Sequence, residues 1–315
     1  MQVIDRIGRQ VKLQELHVLM TVVQAGSMAK AAARLNTGQP NISRSITELE
    51  HAVGVRLLDR HRRGVEPTAY GRALLEGGAI AFDGLRQAVK NIEFLADPTA
   101  GEVRIGCTPL LASTLVSAVV DRVSQLHPGI IFSLMTGYVE SLHRELSQRN
   151  VDLLITRRFG PLLDERLKFE FLFDDLSVVA TGIQNPCARR RNVSLAELAE
   201  ERWVLPPAGS EIGSIAVAAF RKKKLDYPRR VVVTDSPHVR MSLLASGRFF
   251  TIFPAYALRF PISNPQIKIL PIALPNARVS IGIVTLKNRT LTPATKLFLE
   301  HVREAAKVMV KAAAL

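Results

Sequence analysis

Apolar residues recur at helical spacing from Leu13, with Leu16, Met20 and Val23 on the same side, and the pattern stops at Ala25-Gly26. A first helix is expected there. Ser27 offers a side-chain oxygen to the free amides of a following turn. Met28 to Leu35 is rich in strong helix formers, with Ala31, Ala32 and Leu35 along one side, so a second helix follows. Asn36-Thr37-Gly38 supplies turn chemistry, and Pro40 stands where a first helical turn tolerates a missing N–H. A third helix is predicted from about Gln39 to His51. Its apolar residues Ile42, Ile46 and Leu49, continued by Val53, share one narrow arc and define the buried side.

The opposite side of that third helix carries Pro40, Arg44, Thr47 and His51, flanked by Asn41 and Ser43, with Gln39 at its start. Short polar groups near a helix N-terminus, joined by a cation, are what base edges and phosphates require of a recognition helix. An ordinary amphipathic surface helix is the alternative. Ser27 and Arg34, at the two ends of the second helix, complete the helical part of the candidate DNA-binding set. After Gly54, VRLLDRHRRGVEPT reads as a hairpin turning at Arg63-Gly64, with Arg60, Arg62 and Arg63 at its tip. Such a wing would grip the DNA backbone; alone, it could equally be solvated surface.

From Thr68 to about Leu95 a stripe of Leu74, Ala81, Ala88 and Leu95 repeats every seven residues, interleaved with Leu85 and Ile92. A helix of roughly 27 residues would be about 40 Å long. It would bury this stripe on a second copy or, alternatively, on its own chain. Asp97 to Gly101 reads as a hinge. Beyond it, strands at 102–107, 130–135 and 151–156 alternate with helices at 110–126 and 139–148, the pattern of a parallel sheet. A second alternation follows: strands at 176–180, 203–205, 230–234 and 250–253, with helices near 195–199, at 212–223 and at 239–245. Strands near 267–271 and 278–285 and a helix from Pro293 return the chain to the first lobe.

Ligands of open α/β sheets bind beyond the carboxyl ends of strands. That rule selects Thr108, Thr136 and Arg157-Arg158, together with Ser210 in Ala208-Gly209-Ser210 before a helix whose amides could hold an anion. Helix caps, turns or surface charges are the competing readings at each position. Net charge adds little to the DNA case. Of the formal +14, residues 1–100 hold 13 Lys/Arg against 10 Asp/Glu, and the remaining 29 against 18 lie beyond, where they favour an acidic or polyhydroxylated ligand.

Composition narrows the class further. A hydrophobic fraction of 47% with 22% charge is globular, and 315 residues suggest two domains. The first 20 residues mix charged with apolar positions, and no long apolar run occurs, so a cytoplasmic protein without a membrane partner is expected. Cys107 and Cys187 lack metal-ligand spacing and read as buried reduced thiols. No nucleophile elbow, phosphate loop or dinucleotide fingerprint is present, and the seven histidines form no metal-type cluster. The expectation is therefore no enzyme, no cofactor and no metal. A scattered catalytic set, or an architectural DNA binder without a ligand, remain as alternatives.

The ordered motifs AGS, AAARL, QPNISRSITELE, GVRLLDR and PTAYG, running from Leu13 to Leu75, resemble the winged helix-turn-helix of LysR-type transcriptional regulators. The resemblance implies DNA contacts at Gln39, Pro40, Ser43, Arg44 and Arg60. It also implies a dimerising linker helix and a two-lobed effector domain like periplasmic binding proteins, with Thr108 and Ser210 in its cleft. Two departures stand out: Gly38 where the family often has Ser, and Phe249 where it often has Gly, which would narrow the cleft and adds Phe249 to the effector-site candidates.

The expected architecture is an α-rich winged helix-turn-helix over 1–67, a linker helix over 68–96 and an α/β effector domain over 97–315. Its lobes would be about 101–173 with 273–315, and 174–272. The expected partners are double-stranded operator DNA, a small effector, further copies of the chain as dimer and tetramer, and RNA polymerase.

Overall fold

The computed structural model describes residues 11–61, 64–97, 99–158, 164–259, 266–274 and 278–313, and the chain divides into two compact units, Met1–Val89 and Lys90–Leu315. In the first unit, α1 (Leu13–Ala25), α2 (Met28–Arg34) and α3 (Gln39–Val53) enclose a core of Leu19, Val22, Ala31, Ile42, Ile46 and Leu49. Each boundary has a local cause. Gly26 ends α1 in the left-handed region, Ser27 caps α2 by accepting from Lys30 N at 3.1 Å, and Pro40 opens α3 behind an N-cap glycine that has no side chain to offer.

A hairpin of β1 (Leu58–His61) and β2 (Gly64–Pro67) follows, pairing Arg60 with Val65. Glu50 of α3 accepts the amides of Leu57 and Leu58 at 2.8 and 3.3 Å, which ties the hairpin to the helix. Gly64 sits at φ +144°, and a Cβ there would come 2.7 Å from the Gly26 carbonyl, which instead accepts the Val65 amide at 3.1 Å. Arg62 and Arg63 lie outside the described residues. A 28-residue helix, α4 (Ala69–Ala96), continues the chain and leaves Leu85, Val89, Ile92 and Leu95 exposed.

Among the described residues, the second unit is built on one nine-stranded sheet. Its first half has β3 (Ala100–Cys107) between parallel β4 (Gly129–Thr136) and β5 (Leu153–Arg158). β6 (Leu167–Gly182) is sixteen residues long. It pairs antiparallel with β11 (Arg278–Leu286) in the first half, and with β9 (Phe250–Pro254) and β10 (Ile267–Ile269) in the second. There β7 (Trp203–Leu205) is parallel to both β9 and β8 (Val231–Val233).

The helices cover this sheet: α5 (Pro109–Leu111), α6 (Ser117–Leu126), α7 (Val139–Ser147), α8 (Glu211–Lys222), α9 (Pro237–Ala245), α10 (Tyr256–Arg259) and α11 (Pro293–Ala313). Val103, Ile105, Leu115, Val119, Phe298 and Val302 are buried together in the first half. In the second, Trp203 packs edge-on against Phe220, with centroids 5.3 Å apart, and donates its indole N–H to Leu198 O.

Several expectations need correction. The helix predicted over 110–126 is interrupted by a π-turn at Ala112–Val116, where Thr114 Oγ1 and Ser113 Oγ both donate to Leu110 O and compete with the helical ladder. No helix forms near 195–199. The chain makes turns there, with Glu197 accepting from Ser194 and Arg190. The strand expected from Val151 begins at Leu153, after Asp152 has already bonded β3 through its N–H to Arg104 O at 2.7 Å. The strand expected at 176–180 is the tail of the much longer β6. Cys107 is buried, but Cys187 is only half-buried. Among the described residues no helix is long and apolar enough to cross a membrane.

Asp152 locks the first half together. It accepts from Arg104 Nη2 at 2.6 Å and from Arg289 Nη2 at 2.8 Å, with Arg289 fully buried. Burial alone would raise its carboxyl, but Arg104 and then Arg289 overcome that and hold it below the usual range. Its stabilising effect is therefore complete above the unfolded value near 4 and disappears as pH falls through the folded value. Asp152→Asn should cost about 3 kcal/mol in urea unfolding at pH 7, because both guanidiniums lose this carboxylate. The gap between wild type and variant should shrink below about pH 4. A gap that does not change with pH would contradict the ion-pair account.

Candidate functional site

The first unit presents a polar surface built by α3 and the hairpin. Gln39, Pro40, Asn41, Arg44 and Thr47 are exposed and Ser43 is half-buried, while Ile42, Ile46 and Leu49 anchor the helix from behind. Asn41 Nδ2 donates to Thr37 Oγ1 at 3.0 Å, and Thr47 Oγ1 donates to Ser43 O at 2.9 Å. Arg60 of β1 reaches Ser43 Oγ at 3.4 Å, so hairpin and helix form one surface. Arg44 pairs with Glu48 at 2.9 Å, an exposed contact that a phosphate can replace at little cost. Arg34 is exposed at the end of α2. Ser27 is committed to its cap. Glu50, which fixes the hairpin, was not singled out in the sequence because it resembles any helical surface acid.

In the second unit, the carboxyl ends of β3, β5, β7 and β8 converge on a cleft of about 620 Å³, within the range of small-molecule sites. Its lining draws on both halves of the sheet: Thr108, Pro109, Tyr138, Glu140 and Arg157 from the first, Pro207, Ser210, Asp235, Ser236 and Arg240 from the second. Ser210 and Ser236 cap α8 and α9, each accepting an amide of its own first turn. The N-termini of α7, α8 and α9 thus face one space, and their dipoles favour negative charge there. Across the mouth, the Tyr138 phenol donates to the Asp235 carboxylate, joining the two halves and pushing the phenol above its ordinary value.

Three of the five effector candidates line this cleft: Thr108, Arg157 and Ser210. The other two do not. Thr136 ends β4, the outermost strand, with its side chain exposed. Phe249 packs on the apolar core, and its carbonyl accepts from Thr181 Oγ1. Sequence reasoning missed Arg240, which is fully buried in α9, as well as Tyr138 and Asp235. Beneath the cleft, Asp175 accepts the amides of Ala255 and Tyr256, and burial pushes its carboxyl up to about 6.

Known proteins resemble the chain over both units. Residues 13–72 match the bacterial regulatory helix-turn-helix protein, lysR family, and residues 96–307 match the LysR substrate binding domain. The regulator GbpR of Azospirillum brasilense is 26% identical over 298 residues, covering 94% of this chain and 87% of its own. The SDS degradation transcriptional activation protein of a Pseudomonas strain is 28% identical over 291 residues, covering 90% and 93%.

Among solved structures, a full-length OxyR variant from Pseudomonas aeruginosa shares the fold with a TM-score of 0.64 at 18% identity, covering 94% of this chain and 95% of that one. CbnR in complex with its target DNA gives a TM-score of 0.53 at 23% identity, covering 94% and 99%. The chain therefore belongs to the LysR family of bacterial helix-turn-helix transcriptional regulators, with a DNA-binding unit followed by an effector-binding one.

Proposed function

We propose that this regulator reads an operator with the exposed face of α3 and the arginine hairpin, and responds to a small molecule held in the cleft of its second unit. The observation that carries the reading is the cleft itself, a ligand-sized space at strand carboxyl ends in the same chain as a polar recognition helix fastened to a cationic hairpin. Gln39, Asn41 and Ser43 would meet base edges, and Arg34, Arg44 and Arg60, with Arg62 and Arg63, the phosphates. The working division is a reader over 1–67, a linker over 68–96 and a sensor over 97–315. Binding would change cleft closure, and through it the spacing of readers in a tetramer that engages DNA and RNA polymerase in the cytoplasm. This assigns the cleft to sensing rather than catalysis, in keeping with relatives named as transcriptional regulators.

The exposed stripe of Leu85, Val89, Ile92 and Leu95 on α4 supports a second copy as its cover. Replacing Leu85 and Ile92 together by Asp should convert dimers to monomers in sedimentation velocity while leaving helix content near the wild type's. A dimer that survives both changes would place the interface elsewhere.

On DNA, Arg44→Ala should weaken binding to all sequences and lower the salt slope by about one, because one phosphate contact is lost. Ser43→Ala should instead relax base preference, by about 1–3 kcal/mol at one position if the contact is direct. Fluorescence anisotropy against salt, on an operator chosen by in vitro selection, measures both. Unchanged slope and unchanged preference would remove α3 from the interface.

A further inference from the structure

Arg240 is 2% exposed and lines the cleft. Its guanidinium lies 4.3 Å over the Phe253 ring and gives one N–H to Ile252 O at 3.2 Å. Its Nε has no partner, and no carboxylate pairs with it among the described residues. A guanidinium withdrawn from water without a counter-charge is costly, and burial lowers this one to about 10. Thr108, 4% exposed, faces the same space with an unpartnered hydroxyl.

The charges around the cleft limit what can complete this site. Arg157 adds a second cation at the end of β5, and the buried Asp175 offsets it, leaving one positive charge in excess beneath the cleft. The mouth has the opposite sign, since Glu140 and Asp235 are exposed there. A second ligand carboxylate reaching the mouth would be repelled, whereas hydroxyls would find acceptors.

We propose that the effector is a small hydroxylated acid with a single carboxylate, seated on the Arg240 guanidinium and the Thr108 hydroxyl. The proposal rests on the cleft being the effector site. The carboxylate supplies the charge that Arg240 lacks, and a charge-assisted bond to a buried guanidinium is among the stronger polar contacts available.

The test uses the full chain and a defined panel: lactate, glycerate and gluconate, the primary amide of each, and the dicarboxylates malate and tartrate. Thermal shift finds binders, because a ligand of the folded state raises the midpoint, and calorimetry gives their Kd. At least one monocarboxylate should bind while its amide and the dicarboxylates do not. Arg240→Met should weaken it by roughly 30-fold or more. Thr108→Val should weaken it about fivefold, losing one hydrogen bond without changing the unliganded midpoint. Thr108→Val carries the test if Arg240→Met fails to fold.

Amides that bind as well as acids, tighter dicarboxylates, no active acid, or variants that bind like wild type would each overturn the proposal. Gly209→Trp separates this from failure of the cleft reading, since Gly209 lines the cleft with open space where a side chain would stand. A neutral probe lost in Gly209→Trp keeps the cleft and overturns only the acid; any probe that binds Gly209→Trp unchanged overturns the cleft.

Discussion

One strand has to serve both halves of the sensor sheet. β6 enters as the partner of β11 and leaves as the partner of β9 and β10, so the two halves that meet at the cleft are joined through this strand. The crossing is tight. β11 shifts register against β6 between Ile281 and Gly282, and a Cβ on Gly282 would stand 2.3 Å from the Glu170 carbonyl and 2.4 Å from the Phe169 ring. Only a glycine lets the two backbones approach so closely. Arg303 of α11 then holds Glu170 through two N–H bonds of 2.6 and 3.0 Å, which fixes β6 on its outer side.

With β6 in place, the cleft follows from topology. Parallel strands deliver their carboxyl ends to one side, and the helices that succeed them begin there, so Thr108, Arg157, Ser210 and Arg240 meet although they are far apart in sequence. The same arrangement explains why a buried arginine can persist. Its guanidinium rests on an aromatic face and one backbone carbonyl, enough to hold its place but not to neutralise it. A site under-satisfied in this way favours a ligand that brings the missing charge.

The first unit was legible because its signals are local. Helix periodicity, the Gly26 stop, the Ser27 cap and Pro40 act within a few residues, and nothing distant overrides them. The second unit was read from its more apolar strands. The leading half of β6, Leu167 to Phe173, alternates charged with aromatic residues, the period-two pattern of a partly buried strand, so its signal was present although only the apolar tail at 176–180 was read. Residues 195–199 have helix-forming composition, but the Ser194 and Glu197 bonds close a turn and the chain must enter β7 at Trp203. The strand-end rule selected Thr108, Arg157 and Ser210, which line the cleft. It also selected Thr136, which is not part of that lining, since β4 lies at the sheet edge. Arg240 gave no signal at all: an arginine in a helical stretch reads as surface until the packing shows it is not.

Coupling between the two units is the central claim, and it is a statement about free energy. A ligand that changes the protein's affinity for its operator must have its own affinity changed by the same factor when operator is bound. The most direct measurement is a double titration: operator affinity at zero and saturating concentration of a cleft-binding carboxylate, and carboxylate affinity with and without operator. The account predicts two equal factors, both different from one. Factors of one on both sides would contradict it, since cleft and recognition helix would then be independent.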